Sequence, residues 1–207
     1  MEQTVNQITL CGTLASPPVL SHENHGKRFF TFSLEVERLS GNRDTLPILA
    51  VESVLEQCDP FGGGKILVSG QVRSFNRRTE QGRRLLISVY AEQISTCDGE
   101  PENEVILQGA LCKPPVFRRT PLGREICDMM LAVNRPYSRT DYLPCIAWGR
   151  TAEEISLLPV GTTVALTGRL QSRVYVKQLE TGKEERIAYE ISALSAAPLP
   201  SGTAVPV

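Results

Sequence analysis

Residues 6–20, NQITLCGTLASPPVL, return almost as themselves at residues 103–117, NEVILQGALCKPPVF. A shift of 97 places Gly12 on Gly109, Leu14 on Leu111 and Pro17-Pro18 on Pro114-Pro115. The match continues through Gly26 and Gly123, Leu34 and Leu131, Val36 and Val133, Arg38 and Arg135, and Leu46-Pro47 and Leu143-Pro144. After one inserted residue, Gly70 meets Gly168 and Ser74 meets Ser172. Self-similarity at a fixed period marks a repeated structural unit, so these 207 residues hold two copies of one domain. CDGEPEN, a Gly/Pro/acidic stretch, suits a linker at residues 97–102. The expected units are residues 1–97 and 103–194, followed by a tail, 195–207, expected to be disordered from its Pro, Ser and Ala content.

Each copy reads as five short strands. In the second copy these are VILQGAL, ICDMMLAV, YLPCIAW, TVALTGRL and IAYEISAL; in the first, TLCGTL, FFTFSLEV, LPILAV, ILVSGQV and LLISVYAE. All alternate or run apolar over strand length. One helical stretch lies between strands three and four: TAEEISLL at 151–158, and ESVLEQC at 52–58. TGKEE at 181–185 and EQGRR at 80–84 read as turns between strands four and five. Five strands with a helix after the third is the arrangement of an OB-fold, a small partly open barrel. The mid-strand glycines Gly12, Gly70, Gly109 and Gly168 suit the tight bends of such a barrel. The fold class expected is therefore all-β, two tandem OB-folds, with a small sandwich as the alternative.

Composition narrows the function. With 22 basic and 23 acidic residues the net charge is −1, which excludes a chain that coats a polyanion through overall charge. The basic residues are seventeen Arg and five Lys, and the planar guanidinium grips phosphate and stacks on bases where an ammonium does not. Cys11, Cys58, Cys97, Cys112, Cys127 and Cys145 form no C-x-x-C pair, and His22 and His25 share one polar segment read as a solvated loop. No metal site and no cofactor are expected from them. GGGK at 62–65 lacks the spacing of a phosphate-binding loop, and no set of nucleophile, base and acid is visible. An enzyme is not expected. No stretch approaches the about 20 apolar residues of a membrane span, and MEQTVNQITL has no basic region before an apolar run, so the expected compartment is the cytoplasm.

The second copy resembles a known family. VILQGALCKPPVFRRTPLG, LAVNRPY, DYLPCIAWGRTAE, GRLQSRVY and AYEIS follow the order and spacing of the bacterial single-stranded DNA-binding proteins, of which a variant with two OB domains per chain exists. The resemblance implies base stacking on aromatics at four motif positions, held here by Tyr137, Tyr142, Trp148 and Tyr175. Stacking tolerates any sequence because every base has a π face. For a lone aromatic, burial in the core would be the ordinary reading; four at matching positions point to binding. The accompanying cations are Arg118, Arg119, Arg124, Arg135, Arg139, Arg150, Arg169, Arg173 and Lys177. Residues two apart on a strand share a face, so Arg173, Tyr175 and Lys177 are expected to project together.

In the first copy the four positions hold Ser40, Thr45, Val51 and Arg77, none of them aromatic. Phe75 is a candidate substitute, and FNRRTEQGRR keeps Arg77, Arg78, Arg83 and Arg84. Alternation assigns Phe30 and Phe32 to the core and Phe29 to the other face. The first copy is thus read as a degenerate OB domain supplying phosphate contacts and assembly surface. The family resemblance implies single-stranded DNA as partner, and four OB domains per assembly imply a homodimer of this chain. No acidic residue follows Glu190, so docking of partner enzymes through an acidic tip is not expected. The alternative function is a primosome-type adaptor that bridges proteins.

Overall fold

The structure is a computed structural model and describes residues 5–57, 64–79, 82–179 and 182–200. The first half runs β1 (Asn6–Leu14), β2 (Val19–Asn24), β3 (Lys27–Glu37), β4 (Arg43–Val51), α1 (Glu52–Leu55), β5 (Lys65–Thr79) and β6 (Gly82–Cys97). The second repeats it as β7 (Glu102–Leu111), β8 (Val116–Arg119), β9 (Glu125–Arg135), β10 (Arg139–Trp148), α2 (Gly149–Ser156), β11 (Thr163–Leu179) and β12 (Gly182–Pro198). Hydrogen bonding links all twelve strands in the order β2-β3-β4-β6-β5-β1-β7-β11-β12-β10-β9-β8, which reads outward from β1–β7 in the same way on both sides. Additional pairings of β3 with β1 and of β9 with β7 close each half into a five-stranded barrel. These are the two tandem OB-folds read from the sequence; the closure excludes a sandwich.

Alternation fills each barrel. On β4, Asp44, Leu46, Ile48 and Ala50 point inward, and on β10 Asp141, Leu143, Cys145 and Ala147 do the same, all nearly or fully buried. The mid-strand glycines are required by close approach. A Cβ on Gly70 would lie 2.0 Å from the Tyr90 carbonyl oxygen, and one on Gly168 would lie 2.3 Å from that of Ser192. Both glycines sit at register shifts of the β5–β6 and β11–β12 pairs, where the backbone bends.

Four local features differ from the sequence reading. The segment of His22 is strand β2, fully exposed and hydrogen-bonded to β3; His25 (φ 49°) and Gly26 (φ 70°) form its two-residue turn. Positive φ at both positions is what a type I′ hairpin needs, so turn chemistry makes this strand where hydrophobic alternation gives no signal. Helix α1 is a single turn that packs only the half-buried Val54 and Leu55 on the core, whereas α2 fully buries Ala152 and Ile155; Cys58, at the end of the expected first helix, lies outside the described residues. Strands β5, β6, β11 and β12 run far past their expected ends into two long hairpins, while residues 80, 81, 180 and 181 of the expected turns lie outside the described residues. Finally, β12 continues to Pro198, beyond Leu194.

The halves are joined by more than the 98–101 connection. β1 pairs antiparallel with β7, Ile8 opposite Val105. Asn6 exchanges two hydrogen bonds with Val72 (2.8 and 3.0 Å), and Asn103 does the same with Leu170 (2.7 and 2.9 Å). Each amide extends its ladder two register positions past the last backbone pairing. Each long hairpin also reaches the opposite barrel. Asp44 accepts from the Ser172 backbone N–H (2.7 Å) and hydroxyl (3.1 Å), and Asp141 accepts from the Ser74 backbone N–H (2.8 Å). Arg38 holds the Asp44 carboxylate from its own half, and Arg135 holds that of Asp141.

Candidate nucleic-acid interface

Strand β10 has two faces of different use. While its inward residues fill the barrel, Tyr142, Pro144, Ile146 and Trp148 fall on the outer face. Tyr142 is 42% exposed, and its backbone N–H donates to the Ser74 hydroxyl at 2.8 Å. Trp148 lies directly opposite Ile126 of β9, half-buried, with its indole N–H donated to the Ser192 hydroxyl at 3.0 Å. That bond orients the ring. Tyr137 stands on the β9–β10 turn, 95% exposed, with φ of 63°. A left-handed conformation is costly for an aromatic residue, and here it lifts the ring clear of the barrel. Tyr175 lies on the β11 arm with the Arg173 guanidinium 5.9 Å from its ring centre, within cation–π range. Lys177 is on the same strand; its side chain lies outside the described residues.

The two hairpins and the outer faces of both barrels enclose a groove of about 1680 Å³. Its lining includes eight arginines, Arg73, Arg77, Arg83, Arg84, Arg135, Arg139, Arg173 and Arg186, and a single carboxylate, Glu190. The floor is apolar and aromatic. Of the residues singled out in the sequence, the groove gathers Phe29, Phe75, Arg77, Arg83, Arg84, Arg135, Arg139, Arg173 and Tyr175, and Tyr137 borders a smaller hollow with Arg135 and Arg139. Tyr142, Trp148, Arg78, Arg118, Arg150 and Arg169 are not part of the groove lining.

The cations differ in how free they are. Arg118 binds Asp128 with two hydrogen bonds, Arg119 pairs with Glu125, and Arg150 pairs with Glu154 one helical turn on. Arg135 is held by buried Asp141 at 3.0 Å and shares it with Arg73 at 3.4 Å. Burial, with Arg135 as neighbour, draws the Arg73 guanidinium below its ordinary value. Arg169, half-buried, is lowered likewise by burial and by Arg38. Among the described residues, Arg77, Arg78, Arg83, Arg84, Arg124 and Arg139 have no ion-pair partner and are exposed. Arg73, Arg186, Tyr90 and Tyr189 are lining residues that sequence reasoning missed; only the cross-strand register brings them to this face.

The model of the single-strand binding protein family matches residues 102–198. Over 80 residues the chain is 38% identical to Single-stranded DNA-binding protein B of Bacillus subtilis (strain 168), covering 35% of this chain and 71% of that protein. The chain belongs to the single-strand binding protein family. Single-stranded DNA-binding protein A of the same organism is 37% identical over 83 residues, 37% of this chain and 48% of its own length. The chain spans about half the length of several curated family relatives it matches. Those matches cover little more than a third of this chain, whereas a family structure matches both halves. The wild-type single-stranded DNA binding protein from Thermus aquaticus superposes with a TM-score of 0.77 at 25% identity, over 98% of this chain and 96% of that one. Among the described residues no helix is long and apolar enough to cross a membrane, and no cluster of three or more potential metal ligands occurs.

Proposed function

We propose that the chain binds single-stranded DNA without regard to sequence, by stacking bases on exposed rings and neutralising phosphates with arginine. The observation that carries this reading is the groove with eight arginines, one carboxylate and an apolar, aromatic floor. Single strands offer phosphates and unstacked bases together, and this lining complements both. A protein-bridging adaptor has no need of such an excess of guanidinium, so the groove favours nucleic acid. In the second domain Tyr137, Tyr142, Trp148 and Tyr175 are the stacking residues, with Arg139 and Arg173 beside them. The domains meet at residues 98–101, two chains bring four barrels into one assembly, and the protein works in the cytoplasm as a non-enzyme. Light scattering tests the assembly, with a mass near twice 22.8 kDa expected.

The test of binding is the anisotropy of a labelled oligo-dT titrated with protein at rising salt. Each phosphate neutralised on a single strand contributes about −0.7 to the slope of log affinity against log salt. Four exposed groove arginines without an ion pair among the described residues, Arg77, Arg83, Arg84 and Arg139, therefore give a slope of about −3. Absence of binding at low salt, or a slope near zero, refutes the proposal.

A further inference from the structure

Compared position by position, the first half lacks the rings of the second. The strand registers show where rings have gone. In the second half Trp148 of β10 faces Ile126 of β9; at the same pair in the first half, Val51 of β4 faces Phe29 of β3. The ring has crossed to the neighbouring strand and kept the same face. On the hairpins the order is reversed in a similar way: β11 carries Arg173 then Tyr175, and β5 carries Phe75 then Arg77. Tyr90 stands where the second half has Ser192, since Leu49 pairs with Tyr90 as Ile146 pairs with Ser192.

These rings are presented to the groove. Phe29 is stacked on His22 with centroids 4.7 Å apart and planes within 2°. The Arg73 guanidinium lies 5.6 Å from the Tyr90 ring centre. Phe75 is 67% exposed. All four aromatic residues line the same groove as Tyr175. We propose that the first domain is a second base-stacking surface, built from Phe29 backed by His22, Tyr90 and Phe75, and that one strand runs from Tyr175 through the groove onto it. The inference rests on the single-strand-binding reading above. Its occupant is single-stranded nucleic acid because the lining joins these rings to Arg77, Arg83, Arg84 and Arg139, which have no ion-pair partner among the described residues.

The test uses the full chain and a labelled oligo-dT of about 30 nucleotides, long enough for two OB folds at about 4–16 nucleotides each. F29L keeps an apolar side chain but removes the π face, and F75A alters an exposed position, so both preserve the barrel. Each is expected to weaken binding by about 5- to 150-fold, the equivalent of one lost stack. F29W in a W148F background puts a sole indole on this surface, and its emission is expected to be quenched as oligo-dT binds. Heparin, a polyanion without bases, is expected to bind F29L and F75A as it binds the parent chain. If the parent chain binds oligo-dT and Y175A weakens it, while F29L and F75A bind unchanged and F29W is not quenched, the first-domain surface is refuted and the second-domain site stands. If the parent chain fails to bind oligo-dT at all, both readings fall.

Discussion

Replacing Asp44 with Ala tests whether the crossed hairpins hold the two barrels together. The carboxylate is fully buried and takes four donors: Arg38 Nε at 2.6 Å and Nη2 at 2.5 Å, and the Ser172 N–H at 2.7 Å and hydroxyl at 3.1 Å. Without it the Arg38 guanidinium loses its counter-charge and the Ser172 N–H loses its acceptor. Removing one partner of a buried ion pair costs about 3–5 kcal/mol. The Arg38 side chain is 20% exposed and retains some water, which favours the lower end, about 3 kcal/mol. For a chain of this size each kcal/mol shifts the melting temperature by about 2–4 °C, so D44A should melt about 6–12 °C lower. D44N keeps an acceptor for Ser172 and should lose less. The assay is thermal unfolding by circular dichroism, with D44A/S172A closing a double-mutant cycle. Acid adds a second readout. Burial raises the Asp44 pKa, but Arg38 and the Ser172 donors outweigh it and leave the carboxyl below its ordinary value. A carboxyl lowered on folding contributes stability above its unfolded pKa, about 3.9, and that contribution fades as pH falls towards the folded value. D44N should therefore flatten the loss of stability below about pH 4. A D44A protein that melts within 2 °C of the parent would refute the reasoning.

The mirror-image carboxylate has a different consequence. D141N should also lower the melting temperature, yet it releases Arg73 and Arg135 into the groove, so oligo-dT affinity at low salt should rise and the salt slope should steepen by about 0.7 per arginine recruited; unchanged affinity contradicts this. Y137G relieves a left-handed conformation worth about 1 kcal/mol or more and should leave stability equal or higher while weakening oligo-dT binding, as unfolding and anisotropy run in parallel would record. G168A drives a Cβ against a backbone carbonyl that cannot swing aside and should cost about 2 kcal/mol or more, read by denaturant midpoint. Iodoacetamide at pH 8 should modify Cys97 and Cys112 before Cys11, whose thiol is pushed up to about 11 by burial and by Cys97 beside it; mass spectrometry of early labelling checks the order.

The duplication, the barrels and the helix between strands three and four were legible because the repeat keeps glycines and inward apolar residues in place. Gly70 and Gly168 are dictated by backbone approach, and Leu46 and Leu143 by the same barrel interior. Strand β2 was not legible, since VLSHEN buries no face and is held by backbone bonds and a two-residue turn. The stacking candidates of the second half followed from family spacing, but the freedom of each arginine did not. Arg118 and Arg135 are held by Asp128 and Asp141, partners whose proximity only the cross-strand register creates. The same register conceals the rings of the first half, because a swap across a strand pair moves an aromatic twenty-two positions along the chain, from the Val51 position to Phe29.

Trp148 gives the most direct test of the account, because it is the only tryptophan and lies on the outer face of β10. Its emission is followed while unlabelled oligo-dT is added at low and at moderate salt, with anisotropy of a labelled oligonucleotide run alongside. The account predicts quenching that saturates at low salt and requires more oligo-dT at moderate salt. Binding seen by anisotropy with Trp148 emission unchanged, or no binding at low salt, would contradict it.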